Sequence, residues 1–344
     1  MKKRIKTTAV LFFSAPCILL FLAGCYDSIT PIEPNVAGFH MVQNPPFVSR
    51  ISGMAADGDR IVGISYEEGI VYSEDDGVNW IRIDNDDIQD NFIDGIFFNA
   101  VAWGDGFFLA GGDGGKAAYS EDGLKWHAGV IGPMSPKNIL CIAIGRIMNQ
   151  TVFVAAGNDG RIAHAAGSPR GPWYMASLTP FGTADGLGET IRALSFGVVD
   201  GSGMFVAVGD DGKIAFMNDL SGKWYGSRAG TGETFRGIAF GNDRFIAVGD
   251  NGIMKTCSDP AAYHWLSITD TDFTLRPFYG IVFDSAINHF IVFGAESVIG
   301  FSEYGVSWTA ASFQARFSDG MSAITCTKRR IVIGGADGTL AYSN

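Results

Sequence analysis

The chain has 344 residues and a formal net charge of −11 at pH 7. Residues 1–24 carry four basic and no acidic side chains, so the remainder holds 21 basic against 36 acidic residues, a net charge of −15. Such an acidic surface repels nucleic acid and anionic lipid head groups, which excludes electrostatic binding to either.

The N-terminal segment has the organisation of an export signal. Four basic residues within 2–6 precede an apolar run, Ala9 to Leu22, that is too short for a comfortable transmembrane span. The run ends in Leu22-Ala23-Gly24-Cys25, which resembles the lipobox of bacterial lipoproteins. The resemblance implies that residues 1–24 are a lipoprotein signal peptide and that Cys25 is lipidated. Residues 25–37 would then be a tether to an envelope membrane. An ordinary signal peptide followed by a chance cysteine is the alternative.

A short phrase recurs along the rest of the chain, with its clearest copy at residues 244–252. It is a run of aromatic and β-branched residues that ends in Gly-Asp-Asn-Gly, which is typical of a buried strand followed by a tight hairpin. A small-then-apolar run precedes each copy, and a tryptophan follows most of them. Copies start about every 40–52 residues, a spacing typical of propeller blades. The copies begin at Arg60, Phe107, Val152, Met204, Arg244, His289 and Arg330.

Each repeat predicts four short strands, and seven repeats predict an all-β, seven-bladed β-propeller over residues 38–344. The sequence ends at Asn344, within the third strand of the last repeat. Gly38 to Gln43 belongs to no repeat, so we predict that it supplies the missing fourth strand and closes the ring. No segment has a sustained 3.6-residue period, so we expect minimal helix.

The turns before two tryptophans share a further motif. Ser73 to Trp80 and Ser120 to Trp126 place an aspartate and a glycine between the serine and the tryptophan, whereas Ser302 to Trp308 lacks the aspartate. The carboxylate can accept turn N–H groups, the glycine permits the bend, and the tryptophan packs between sheets. These segments resemble the Asp-box (BNR) repeats of sialidase-like propellers, in which the boxes lie away from the ligand face.

The phrase at residues 244–252 is also similar to the repeats of photosystem II assembly-factor propellers, which implies a non-catalytic, chaperone-like binder. Sialidases require an arginine triad that opens with an Arg-Ile-Pro-type motif. Arg50-Ile51-Ser52 stands in that place without the proline, and no clear set of partners follows.

We therefore predict a non-enzymatic binding or assembly scaffold in the bacterial envelope, lipid-anchored to the outer membrane or to the periplasmic face of a membrane. A glycan-cleaving enzyme and a structural surface antigen without a defined ligand remain the alternatives.

Neither a metal nor a cofactor is predicted. The acidic run at residues 84–91 lacks the glycine of an EF-hand loop and is interpreted as a solvated inter-blade loop. The five histidines have no metal-ligand spacing. Cys141, Cys257 and Cys326 fall on strands that are not neighbours in a ring, so we expect buried free thiols rather than disulfides.

Candidate ligand-binding residues lie where the innermost strands begin. Glu189-Thr190-Ile191-Arg192 and Glu233-Thr234-Phe235-Arg236 occupy equivalent places in adjacent blades. Arginines at a channel mouth could bind a carboxylate, a sulfate or an acidic peptide of an envelope protein. Alternatively, each arginine pairs with the glutamate three residues before it and only joins neighbouring blades. The predicted set is Arg192, Arg236, Arg276, Tyr279, Asn99, Glu189 and Glu233, with Asp272 at the same mouth.

Overall fold

The structure is a computed structural model that describes residues 38–65, 67–83, 88–89, 97–177, 188–269, 276–312, 317 and 319–344. Cys25, the tether, Asp272 and most of the acidic run at 84–91 lie outside these residues. Over the described ranges, no helix has the length and apolarity needed to cross a membrane.

Seven sheets, each with four antiparallel strands, form the blades of a β-propeller, as the repeats predicted. Along the chain, each blade starts with its innermost strand and continues outward through hairpins. The innermost strands are β2 (Ile51–Asp57), β7 (Phe98–Gly104), β11 (Ile139–Ile147), β15 (Ile191–Val199), β19 (Phe235–Gly241), β23 (Phe278–Asp284) and β27 (Met321–Cys326).

The second and third strands carry the recurring phrase and the hairpin that follows it. The second strands are β3 (Arg60–Ser65), β8 (Phe107–Gly112), β12 (Gln150–Gly157), β16 (Ser202–Gly209), β20 (Arg244–Gly249), β24 (His289–Gly294) and β28 (Ile331–Gly335). The third strands are β4 (Gly69–Ser73), β9 (Lys116–Ser120), β13 (Ile162–Ala166), β17 (Lys213–Met217), β21 (Met254–Cys257), β25 (Val298–Ser302) and β29 (Leu340–Ser343).

The outermost strands are shorter, and in six blades they begin at or directly after the tryptophan of the repeat. They are β5 (Ile81–Arg82), β10 (Trp126–Val130), β14 (Tyr174–Met175), β18 (Tyr225–Arg228), β22 (Leu266–Ser267) and β26 (Thr309–Ser312). The helical content of the described residues consists of single 3₁₀ turns: Asp113–Gly115, Gly132–Met134, Asn158–Gly160, Asp210–Gly212, Asp250–Gly252, Pro260–Ala262 and Ala295–Ser297.

The N-terminal strand closes the ring. Strand β1 (Phe39–Met41) pairs antiparallel with β29, with Phe39 opposite Ser343 and Met41 opposite Ala341, so the sheet of the last blade runs β1-β29-β28-β27. The closure prediction is confirmed, although the strand is shorter than residues 38–43. One feature was not predicted: β6 (Ile88–Gln89) pairs in parallel with β10 and gives the second blade a fifth strand.

In the third, fourth and fifth blades, the hairpin between second and third strands has positive φ at both residues of its Asp-Gly or Asn-Gly pair. Asp211 and Gly212 have φ of 54° and 65°, and Asn251 and Gly252 have 54° and 72°. In the second blade the left-handed pair is displaced by one residue, because φ is positive at Gly114 and Gly115 rather than at Asp113.

The core lies between adjacent blades. One cluster joins Phe216 of the fourth blade to Phe235, Phe245 and Trp265 of the fifth. Near the C-terminal ends of the innermost strands, a glycine in one blade faces an aromatic ring in the next. Gly145 faces Phe196, Gly197 faces Phe240, and Gly241 faces Phe283. A side chain at these glycines would overlap the ring, so the repeated glycine sets how closely the blades approach.

In the motif turns the aspartate accepts turn N–H groups, as predicted, and the tryptophan adds a hydrogen bond that was not predicted. The backbone N–H of Asn79 donates to Asp75 Oδ1 at 2.8 Å, and the indole Nε1 of Trp80 donates to the Gly77 carbonyl at 2.8 Å. Burial acts to raise the pKa of Asp75, but hydrogen bonds from Asn79, Ser73 and Val78 hold it below its usual value. The cysteines Cys141, Cys257 and Cys326 are free thiols, as expected.

The propeller has two faces, which differ in the turns and strand ends that they hold. The mouth face holds the starts of the innermost strands and the turns between second and third strands, such as Asp250–Gly252. The hairpin face holds the hairpins between first and second strands and the turns between third and fourth strands, which include the Ser73 and Ser120 motifs.

Candidate functional site

Every innermost strand has a β-bulge next to its first residue. In the fifth blade, Phe235 pairs with Gly249 and Gly237 with Val248, so Arg236 has no partner in the ladder. The same one-residue shift occurs in all seven blades. A bulge redirects the side chain of its extra residue. The bulge ring, as we call these residues, is Ser52, Asn99, Leu140, Arg192, Arg236, Tyr279 and Ser322.

The neighbours of each bulge residue keep the centre of the ring open. A large buried apolar residue precedes it, such as Ile191 or Phe235, both 0% exposed, and anchors the strand in the inter-blade core. A small residue follows it, such as Ala193 or Gly237, and leaves space at the axis. A cavity of about 260 Å³ results, lined by residues of all seven innermost strands.

Six members of the bulge ring line this cavity. Arg192 and Arg236 are the only charged side chains among its described lining residues, which include no aspartate or glutamate. Tyr279 is 42% exposed and lies outside the lining. The cavity wall is otherwise apolar or weakly polar.

Both arginines are held by a carboxylate of their own blade. Arg192 donates from Nε to Asp210 Oδ1 at 2.5 Å and from Nη2 to Oδ2 at 3.2 Å. Arg236 makes the same fork to Asp250, at 2.5 and 3.1 Å. Each aspartate begins the turn between the second and third strands, directly across from the bulge.

The alternative in which each arginine pairs with the preceding glutamate is wrong. Glu189 instead forms an ion pair with Lys213, with 3.6 Å between Oε1 and Nζ, and Glu233 accepts a hydrogen bond from Asn251 Nδ2 at 2.8 Å. Both partners lie on the same blade as their glutamate. Sequence proximity favoured the local pairing, whereas the bulge turns the arginine toward the strand beside it.

The bidentate ion pair with aspartate uses only Nε and Nη2 of each guanidinium group. Nη1 of Arg192 and of Arg236 has no hydrogen-bond partner among the described residues. The hydrogen bond with Asp250 raises the pKa of Arg236, with further contributions from the charges of Asp210 and Tyr279. Thr234 Oγ1 also donates to Asp210 at 3.5 Å, which links the fourth and fifth blades at this point.

The other predicted residues divide into two groups. Asn99 follows the arginine pattern, because its Nδ2 donates to Asp113 Oδ1 at 2.8 Å from the equivalent bulge position. Arg276 lies outside the cavity lining and pairs with Glu296 Oε2 at 2.9 Å. Ser52, Leu140 and Ser322 were missed, although a repeated large–variable–small triplet marks all seven bulge positions in the sequence.

The described residues hold no group of three or more His, Cys, Asp or Glu side chains that could bind a metal ion. The carboxylates that contact the cavity-lining arginines, Asp210 and Asp250, are engaged in ion pairs with them. The arrangement therefore offers fixed cationic hydrogen-bond donors above an apolar channel, which suits the binding of an acceptor group.

Comparison with solved structures finds other β-propellers. YCF48 from Cyanidioschyzon merolae has a TM-score of 0.66 and 15% identity, covering 90% of this chain and 99% of its own. YCF48 bound to D1 peptide has a TM-score of 0.67 and 16% identity, covering 94% and 99%. The WD40 propeller domain of Doa1 has a TM-score of 0.66 and 13% identity, covering 89% and 95%. These identities show a shared fold alone. No protein-family model and no curated protein sequence matches the chain.

Proposed function

We propose that this chain is a non-enzymatic binding or assembly scaffold that a lipid on Cys25 holds at a bacterial envelope membrane. Its mouth face would bind an acidic or carbonyl-rich segment of a partner protein. The observation that carries this proposal is the pair of cavity-lining arginines in adjacent blades, each fixed by an aspartate and each with no partner for Nη1 among the described residues.

Each aspartate orients the guanidinium group of its arginine but bonds only to Nε and Nη2. A carboxylate that accepts from Nε and Nη2 fixes the plane of the guanidinium, which reduces the entropy lost when a ligand binds. Each charge-assisted hydrogen bond from Nη1 would contribute about 1.5–3 kcal/mol. The ion pairs themselves are partly exposed, so they contribute only about 0–1 kcal/mol each to folding.

A protein segment is the proposed ligand for two reasons. The cavity combines an apolar wall with few polar groups, which suits a side chain or chain end rather than a highly hydrated ion. In addition, one structure with the same fold is YCF48 bound to a D1 peptide. The envelope location is proposed from the Leu22-Ala23-Gly24-Cys25 motif.

The double substitution Arg192→Ala with Arg236→Ala tests this function. We expect the variant to melt near the wild-type temperature and to lose partner capture in a pull-down from the native envelope, read by mass spectrometry. Wild-type capture should also weaken as salt concentration rises, because the contact is ionic and partly exposed.

Arg276→Ala is the matched control, because Arg276 is a paired arginine of the mouth face outside the cavity lining. It should retain capture. Arg192→Lys with Arg236→Lys keeps both charges but not the fork, so capture should fall to an intermediate level. Unchanged, salt-independent capture by a stable double alanine variant would contradict the proposal.

A further inference from the structure

The register of the closing strand fixes the face at which the N-terminal segment enters the propeller. Strand β29 runs from the mouth face to the hairpin face, where Ser343 Oγ accepts a hydrogen bond at 2.9 Å from the N–H of Ile331, the first residue of β28. Strand β1 is antiparallel to β29, and the N–H of Asn344 donates to the Gly38 carbonyl at 3.0 Å. Gly38 therefore lies at the hairpin face.

The candidate binding site is at the opposite end of the blades. Arg192 and Arg236 stand at the mouth-face ends of β15 and β19. Strand β19 has 7 residues, and a strand rises about 3.3 Å per residue, so about 20 Å separates the two faces. The chain thus enters the domain on the side away from the arginines.

We propose that the lipid anchor holds the propeller with its mouth face directed away from the membrane, so that a partner reaches Arg192 and Arg236 from the aqueous side. This inference rests on the proposed lipidation of Cys25 and adds the class of partner. The partner presents a water-exposed, acidic or carbonyl-rich protein segment, and residues buried in the bilayer cannot reach the site.

The length of the tether supports this orientation. About 12 residues, 26–37, separate Cys25 from Gly38. A flexible chain of that length has a root-mean-square end-to-end distance of about 20 Å, and about 40 Å is its limit when fully extended. To turn the mouth face to the membrane, the tether would have to pass along the whole side of a blade. That path of about 20 Å takes up about half of the extended length of the tether, so fewer tether conformations are compatible with this orientation than with the opposite one.

Charge acts in the same direction on a membrane with anionic lipids. Residues 25–344 carry a net charge of −15, so an anionic membrane surface repels the propeller. This repulsion increases the mean distance that the tether spans between the membrane and Gly38. A longer mean tether leaves less chain to reach round the domain. The entry point at Gly38 then remains the part of the propeller nearest the bilayer.

Energy transfer to labelled lipid measures the orientation. The full-length, lipidated protein is placed in phosphatidylcholine vesicles that contain an acceptor-labelled lipid, with one donor dye on Met148→Cys or on Val48→Cys. Met148 is 76% exposed at the tip of the β11–β12 hairpin, on the hairpin face, and Val48 is 82% exposed on the mouth face. Each labelled protein is first checked for unchanged melting temperature.

We expect stronger energy transfer from position 148 than from position 48, since the donors differ in height by about 20 Å. Insertion of about 20 Gly/Ser residues after Ala37 should reduce this difference severalfold, because a long tether no longer favours one orientation. Equal or reversed transfer in protein that floats with the vesicles would overturn the orientation alone. Wild-type protein that fails to float, like the Cys25→Ala control, would overturn the anchor and the orientation together.

Discussion

At the scale of single residues, the contacts between blades depend on small side chains placed opposite large ones. Gly145, Gly197 and Gly241 each contact an aromatic ring of the next blade.

The contact between blades six and seven differs, because Asp284 stands at the position of these glycines and the Cys326 thiol at the position of the rings. Burial and the neighbouring Asp284 raise the pKa of Cys326 well above its usual value, so this thiol stays protonated.

Gly241→Ala tests the glycine–ring contact. The new methyl group would overlap the Phe283 ring, which is rigid at the atoms concerned, so we expect a loss of about 1–3 kcal/mol in the free energy of unfolding measured in urea. Gly129→Ala is the control, since a Cβ there meets nothing within 4 Å. An unchanged urea midpoint for Gly241→Ala would show that the blades can separate without cost.

Because His164 is buried, we expect the stability of the protein to depend on pH. The His164 side chain is buried against Gly222 of the next blade, and burial lowers its pKa. Within the part of the chain that the structure describes, its Nδ1 has no hydrogen-bond partner. The folded state therefore binds a proton less readily than the unfolded state, whose histidine titrates near 6.5. Stability should be full above about pH 6.5 and should fall as the pH decreases below it.

Melting temperatures between pH 7.5 and 5 check this expectation. His164→Gln removes the titrating group and should flatten the dependence in that window. His264→Gln, at an exposed histidine, should retain the wild-type profile. If the two variants show the same pH dependence, the buried histidine does not cause it.

At the scale of elements, the ring closes through a strand of three residues. Phe39 of β1 is 4% exposed and packs in a cluster with Phe301 and Phe317, and the N–H of Val42 donates to the Leu340 carbonyl at 2.9 Å. Without β1, the edge of β29 would be open and this cluster would lose a ring. The strand thus contributes both hydrogen bonds and apolar burial.

A chain that begins at Asn44 should therefore be less stable than one that begins at Gly38, by at least about 3 kcal/mol, the cost of removing one buried Phe side chain. Urea unfolding of the two chains measures the difference. The chain from Gly38 is the control for loss of the preceding residues. Equal midpoints would mean that β1 does not stabilise the closed ring.

At the scale of the whole molecule, the repeats build seven similar blades but not a uniform channel. The bulge ring is charged only in the fourth and fifth blades, where Arg192 and Arg236 stand, and it is apolar at Leu140 in the third. A partner would therefore contact one sector of the mouth face, and the remaining blades would act as its support. The two faces of the propeller also differ, because the chain enters at Gly38 on the hairpin face, opposite the arginines.

The sequence by itself determined the seven blades and the closing strand, because period-2 strands and turn residues at a fixed spacing are local signals. It also predicted three free thiols, of which Cys141 and Cys257 are buried and Cys326 is partly exposed. It further identified Arg192 and Arg236 as equivalent positions and included Asn99 in the candidate set. Only the tertiary structure decided their partners: the bulge places Arg192 beside Asp210, 18 residues away, rather than beside Glu189. It likewise separated Arg276 from the cavity and added β6 to the second blade. Such pairings depend on which strands become neighbours in space, and a repeat pattern does not encode the direction in which a bulge turns a side chain.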